Sequence, residues 1–337
     1  MITLVISTLV AFFTTLIFTP ILIKYLQRVG IVGIDQHKKN KPVIASSGGI
    51  CVASGILTGL LTFIGIETFV TGFSPGVVDL LAIISSILIV TLVGIFDDLN
   101  VVRKKVVRRG VKEIRIGLPQ LMKPLLTLPA AIPLMVVNAG SSNIALPLVG
   151  LVDVGILYPL LLIPIGVIGA SNAINILGGF NGLEAGMGLS YMLGLGIFAL
   201  LTNNQVAVLF LLVATALLGF IKFNWYPAKI LPGDSLTYLL GAVLASGVII
   251  GNMEKLAIVL MIPFFVELIL KMRSGFKATS LGRLTEDGKI ENIYGKRVYS
   301  LTHVVMNFGR FTEKQITLIF VSVETLFVLF GILLYAF

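Results

Sequence analysis

Ten apolar stretches divide this chain, near residues 3–25, 48–66, 78–96, 118–137, 155–171, 187–202, 205–222, 235–251, 256–272 and 315–336. Each comes close to the roughly 20 mostly apolar residues that a helix needs to cross a bilayer. Inside lipid every backbone N–H and C=O must find a partner within the protein, which leaves helices and closed barrels as spanning structures. These runs are continuously apolar and do not alternate, so they predict helices. Composition agrees, with 57% hydrophobic residues, 12% charged residues and a mean hydropathy of +1.04, where a soluble domain averages about 25% charged. The expectation is an all-α, polytopic membrane protein of about ten transmembrane helices, with residues 1–337 forming a single integral membrane domain. The first segment has no basic leader and no small-residue cleavage pattern, so it reads as a spanning helix. The one cysteine, Cys51, opens a span and reads as packing.

Charge orients the segments. With both termini outside, 24 of the 25 Lys and Arg residues fall in or beside the five loops that then lie inside, and only Lys255 lies outside. This is the positive-inside bias of a membrane protein with cytosolic basic loops, and it accounts for the net charge of +9 without nucleic acid as a partner. The run RKKVVRRGVKEIR (103–115) reads as an anchor on anionic lipid. The first-loop histidine, His37, reads as solvated.

The polar residues gather on the same side. Asp97 and Asp98 close the third span in VGIFDDLN, Asp234 opens the eighth in LPGDSLTY, and SNAINILGGFNGLEAG, with Asn172, Asn175, Asn181 and Glu184, closes the fifth. Ionisable groups at membrane depth are expensive and face a cavity, so these three clusters predict one polar site at the cytosolic boundary. Asp and Asn oxygens without a matching set of His or Cys suit Mg²⁺, which takes one or two carboxylates and completes its shell with water and phosphate. Lys123, Lys277 and Arg283 offer positive charge to phosphates. Carboxylates, Mg²⁺ and basic groups together are the equipment of phosphoryl transfer, in which a protein mainly positions groups and neutralises charge. Each cluster also has a plainer reading. Asn and Gly can cap helices, Lys123 can snorkel to the interface, and Glu267 and Glu324 inside spans are expected to pair or hydrogen-bond between helices.

SNAINILGGFNGLEAG resembles the signature of the polyprenyl-phosphate N-acetylhexosamine-1-phosphate transferases, the glycosyltransferase 4 type. GIDQHKKNKPVIASSGG resembles that family's first cytosolic loop, FDDLN its aspartate pair, LMKPLL the lysine that follows, and FNWYPAKILPGD its Phe-Asn-x-x-Pro-Ala…Gly-Asp element. The pattern Asn-Gly-Leu-Glu-Ala-Gly is closest to the eukaryotic and archaeal UDP-GlcNAc:dolichyl-phosphate branch. The resemblance implies Asn175 and Asp234 as Mg²⁺ ligands, with Mn²⁺ as an alternative ion. It implies Asp97, Asp98 and Lys123 as catalytic residues near the lipid phosphate, and Gly179 and Asn181 against uracil. Arg283 would lie near the diphosphate or sugar, and Asn172, Glu184 and His303 complete the substrate-binding set. The implied partners are UDP-GlcNAc and a polyprenyl or dolichyl phosphate in an archaeal-type cell membrane, in a fold compatible with a homodimer.

Three departures stand out. Gly178-Gly179 replaces an Asp-Gly, Leu231 stands where an aromatic often stacks on uracil, and SLTHVVMNFGRF keeps only His303 of a His-x-His-His cluster. The rivals are another UDP-HexNAc or UDP-muramoyl-peptide donor, a transporter, and an inactive relative. Transporter sites lie near the bilayer midplane between repeats, whereas these groups sit at one face of a chain with no evident repeat.

Overall fold

The computed structural model describes residues 1–72, 76–99, 122–146 and 150–336; the basic run at 103–115 lies outside them. Its helices are α1 (Ile2–Val29), α2 (Gly49–Ile66), α3 (Gly76–Leu99), α4 (Met122–Thr127), α5 (Ile132–Val136), α6 (Ile163–Ile176) and α7 (Leu183–Leu201), then α8 (Ala207–Asn224), α9 (Gly233–Gly251), α10 (Glu254–Leu260), α11 (Ile262–Met272), α12 (Leu301–Phe308) and α13 (Glu313–Tyr335). Among the described residues eight of these are long and apolar enough to cross a membrane, counting the π-helical turns Glu67–Thr71 and Tyr158–Leu162 that extend α2 and precede α6. The chain is an integral, multi-pass membrane protein.

The other two expected spans are divided. Near 118–137 a 3₁₀ turn at Leu128–Ala131 separates α4 from α5. Near 256–272 the break falls at Met261, between α10 and α11. Proline explains both, because its ring removes a donor and clashes with the preceding turn. Pro129 and Pro133 stand at the first break and Pro263 at the second.

Three short antiparallel hairpins join the helices: β1 (Val32–Ile34) with β2 (Val43–Ala45), β3 (Asn143–Leu146) with β4 (Gly150–Asp153), and β5 (Arg283–Leu284) with β6 (Ile290–Glu291). The first and third hold the inner loops in place. Beyond β2, Ala45 O accepts the Leu231 N–H at 2.8 Å and Leu231 O accepts the Gly48 N–H at 3.0 Å. That pairing sets the LPGD stretch beside the first loop.

Helix α9 is the centre. It is 83% buried in its most apolar window, against 22% for α1 at the periphery, and a helix that is apolar all round belongs in a core. It packs against α2, α3, α6 and α8. The approach of α3 is close enough that a Cβ on Gly94 would lie 2.4 Å from the Ser235 Cα. Gly94→Val is therefore expected to push α3 off α9 and destabilise the bundle by about 3 kcal/mol, the upper end of overpacking costs. A thermal unfolding curve in detergent equal to wild type would refute that contact.

Candidate active site

The first turn of α9 organises the site. The first N–H groups of a helix have no intrahelical partner, and a carboxylate there also meets the positive end of the helix dipole. Asp98, from the end of α3, fills that place. Its Oδ1 accepts the Asp234 N–H at 2.8 Å, and its Oδ2 accepts the Ser235 N–H at 3.3 Å and the Ser47 hydroxyl at 2.7 Å. Ser47 holds a left-handed backbone, φ 67°, a strained conformation for a residue other than glycine. One carboxylate thus ties the end of α3 to the starts of α9 and α2.

The side chains of that turn then point at partners from three other helices. Lys123 Nζ of α4 lies 2.7 Å from Asp97 Oδ2 and 3.0 Å from Asp234 Oδ2. Tyr238 donates its hydroxyl to Asp97 Oδ2 at 2.9 Å. The Thr237 hydroxyl lies 2.8 Å from Asn175 Oδ1 of α6 and 3.2 Å from the Asp234 carbonyl. One turn before Asn175, Asn172 donates Nδ2 to Ile168 O at 2.8 Å and to Thr127 Oγ1 at 3.2 Å. Asp97 is buried, while Asp234 keeps 31% and Lys123 21% of the side chain exposed. The opening therefore presents Asp234, Lys123 and the α6 asparagines.

The turn between α6 and α7 forms the second half. Gly179 sits at φ +100°, which L side chains rarely adopt. Its N–H donates to Glu184 Oε1 at 2.8 Å, while the buried Glu184 Oε2 has no partner among the described residues. Asn181 Oδ1 accepts the Ala228 N–H and Lys38 Nζ, both at 2.9 Å, and its own N–H donates to Glu313 Oε1 at 2.8 Å.

Sequence reading passed over the hub beside it. Lys38 Nζ also bonds Glu313 Oε2 at 2.5 Å, lies 3.2 Å from Asp35 Oδ2, and sits 4.0 Å from the centre of the Tyr226 ring. His37 is buried, not solvated as expected. It stacks on Phe180 at 4.5 Å, and its Nε2 accepts the Gly282 N–H at 3.3 Å. The visible signal is the first-loop stretch GIDQHKKNKP itself, which resembles the family's first cytosolic loop but gives no role to Asp35 or Lys38.

Two further expected substrate residues sit in the β5–β6 hairpin and in α12. Arg283 is exposed and pairs with Glu291 at 3.3 Å across the β5–β6 hairpin. His303 is buried in α12, tilted against the Tyr294 ring at 5.3 Å, and its Nδ1 accepts the Tyr299 N–H at 3.2 Å. Burial, aided by the nearby Lys271 charge, pushes its imidazole down to about 4.

Comparison with known proteins decides the family. The model of Glycosyl transferase family 4 matches residues 80–252. The chain is 32% identical over 329 residues to "Putative UDP-N-acetylglucosamine–dolichyl-phosphate N-acetylglucosaminephosphotransferase" of Saccharolobus solfataricus, covering 97% of this chain and 95% of that protein. A Sulfolobus acidocaldarius protein of the same name is also 32% identical, over 97% of this chain and 94% of its own length. Phospho-N-acetylmuramoyl-pentapeptide-transferase of Shouchella clausii is 29% identical, over 98% and 97%. The chain belongs to glycosyl transferase family 4. The matched region runs from within α3 to just past α9 and so contains Asp97, Asp98, Lys123, Asn175, Asn181 and Asp234.

The donor set was tested for the divalent cation that the family resemblance implies. Among the described residues no three His, Cys, Asp or Glu side chains form a closed metal site. Mg²⁺ does not need one, because one carboxylate and an amide oxygen suffice when water and phosphate complete the shell. Among the described residues Asp97, Asp98 and Asp234 bring three formal negative charges to this cluster and Lys123 one positive charge. A part-exposed Asp234 carboxylate, an Asn175 amide oxygen bonded to Thr237 of the same helix as Asp234, and a carboxylate-rich surround among the described residues fit a hydrated divalent ion.

Two outcomes follow. Asp98→Ala is expected to cost about 2–3 kcal/mol of stability, the value of hydrogen bonds to a charged group, and to lower activity with it, while Asp98→Asn loses less of the first; equal unfolding curves for wild type and Asp98→Ala would refute the cap. For His303 the folded-state value lies below the unfolded 6.5, so the neutral ring stabilises the fold fully above about pH 6.5 and that contribution fades as pH falls through about 4. Melting temperatures over that window should fall less for His303→Gln than for wild type, and parallel curves would refute this.

Proposed function

We propose that this protein transfers N-acetylglucosamine 1-phosphate from UDP-N-acetylglucosamine to a polyprenyl phosphate of the dolichyl type, releasing UMP. The observation that carries the reading is the convergence of Asp97, Lys123, Asn175 and Asp234, from four helices, on one open end of a membrane bundle. The relatives named above, two of which carry this activity in their names, support the choice of donor and acceptor. One substrate is soluble and the other is a lipid, so a reacting centre at a membrane boundary meets both. The positive-inside bias supports a cytosolic position for that end, and the archaeal relatives support an archaeal cell membrane.

The lipid phosphate is its own nucleophile. A phosphate monoester with a second pKa of about 6 is largely ionised at neutral pH, so no strong base is needed. An oxygen of that phosphate attacks the sugar-side phosphorus in line, a new P–O bond forms, and the bond to the UMP oxygen breaks. Lys123 places positive charge on the reacting phosphates, and Asp97 holds Lys123 and orients the lipid phosphate. Asp234 and Asn175 would hold Mg²⁺, which when bound offsets the charge of the diphosphate and of departing UMP. Gly179 lets the backbone come close to uracil, Asn181 fixes that turn, and Glu184 Oε2 is an unmet acceptor beside it. Arg283 and His303, with Asn172, are assigned to the sugar-diphosphate side through the last loop and α6.

A second donor reading has its own support, since relatives named phospho-N-acetylmuramoyl-pentapeptide-transferases align over nearly the whole chain. One assay separates the two. Purified protein with UDP-N-acetylglucosamine, polyprenyl phosphate and Mg²⁺ is expected to release UMP in a lipid-dependent way. EDTA should abolish release, and Asp234→Ala should lower it by about 10²-fold or more, the scale of losing a key electrostatic group. Release from UDP-muramoyl-pentapeptide alone would replace the donor, and folded protein inert with every UDP-sugar would end the transferase reading.

A further inference from the structure

We propose that Glu267 is a positioning residue that clamps the last loop, residues 273–300, over the α6–α7 turn and so governs how tightly the nucleotide-sugar is held; this rests on the donor reading above. Glu267 lies on α11 and is fully buried. Its two oxygens serve opposite ends of the loop. Oε2 accepts the Leu301 N–H at 2.7 Å and the Ser300 hydroxyl at 3.1 Å, where the loop enters α12. Oε1 lies 3.4 Å from the Ser280 hydroxyl and 3.7 Å from Lys271 Nζ, near the loop's start.

Lys271, one helical turn along, completes the clamp. Its Nζ donates to the Ser280 hydroxyl at 2.6 Å and to Ala278 O at 3.0 Å. Thr302 closes the ring by donating its hydroxyl to Ser280 O at 2.6 Å. The start and end of the loop are thus held side by side on one buried ion pair.

The same knot reaches the candidate active site. Ser280 Oγ lies 3.4 Å from Ile176 O, the last residue of α6. The next residue, Leu281, packs where a Cβ on Gly179 would be 2.6 Å from its Cδ2. Gly282 then gives its N–H to His37 Nε2 at 3.3 Å, and His37 stacks on Phe180 of the turn. A short path from Glu267 to Gly179 therefore runs through Ser280 and Leu281. A buried carboxylate with this many donors is costly to alter, because every donor it serves is left unmet. Glu324 provides the contrast: it is equally buried, on α13, with both oxygens lacking partners among the described residues. Burial of an acid by itself does not build a clamp.

The test uses the full-length protein in detergent and measures UMP release against donor and lipid concentration, with amide hydrogen exchange of residues 278–302 alongside. Glu267→Gln is expected to raise KM for UDP-N-acetylglucosamine about tenfold while kcat and the lipid KM stay within about threefold, since lost uniform binding appears in KM. Exchange across 278–302 should rise while α9 stays protected. Ser280→Ala, which removes no buried charge, should move KM the same way by about threefold and decides the matter if Glu267→Gln does not fold. Glu324→Gln should leave the donor KM unchanged. Wild-type KM and loop exchange in both clamp variants would overturn the proposal. So would a fall in kcat at constant KM, or an equal KM rise in Glu324→Gln. If wild type turns over no UDP-sugar, the donor reading fails on its own, and loop exchange in Glu267→Gln still decides whether the clamp exists.

Discussion

The site depends on how the buried helix α9 begins. A helix enclosed by neighbours cannot send its first N–H groups to water, and leaving them unmet in a low dielectric is expensive. The Asp98 carboxylate meets two of them. In doing so it sets the direction of the first turn, whose side chains Asp234, Thr237 and Tyr238 reach Lys123, Asn175 and Asp97. Tilting that turn by a few degrees would change three contacts to three different helices together. Asp98 is in this sense spent on structure: both oxygens are engaged by backbone and Ser47, whereas Asp234 keeps part of its carboxylate open.

The charge arrangement explains why such a cluster sits at a bundle end. Three carboxylates and one ammonium would be ruinous at the centre of a bilayer, where a single charged side chain already costs several kcal/mol. At the boundary the part-exposed Asp234 and Lys123 retain water while Asp97 is held by Tyr238 and Lys123. A diphosphate substrate and a lipid phosphate would both add negative charge. Among the described residues Lys123 is the cation that meets these carboxylates, and a divalent cation held by Asp234 and Asn175 would offset more of that sum.

The spans were legible because lipid imposes a strong, long-period signal, and the prolines that divide two of them were visible but weak beside it. The aspartates, Lys123 and the asparagines were legible because polar groups at the ends of apolar runs stand out. What stayed hidden was pairing over long sequence separation. Lys38 and Glu313 are 275 residues apart; one looks like a loop lysine and the other like an ordinary first-turn acid of a helix that Thr312 and Gln315 already cap. Asp98 caps a helix 136 residues away, while sequence rules for caps look only to the residues just before a helix. Arg283 and His303 came from motif position alone, which names a residue without giving its partners: Glu291 for the first and the Tyr299 N–H for the second.

Glu267 and Glu324 carry this furthest. In sequence they are equivalent, each a lone glutamate inside an apolar helix, and both were expected to bond between helices. The structure separates them. Glu267 bonds mainly to a loop: α11 is short, begins at Ile262 just past the break at Met261, and ends at Met272, where the last loop starts. The proline break and the buried acid are then two parts of one device: the first fixes where α11 sits, and the second uses that place to hold a loop against the turn that carries Gly179. Glu324, on the uninterrupted α13, has no hydrogen-bond donor to either oxygen among the described residues.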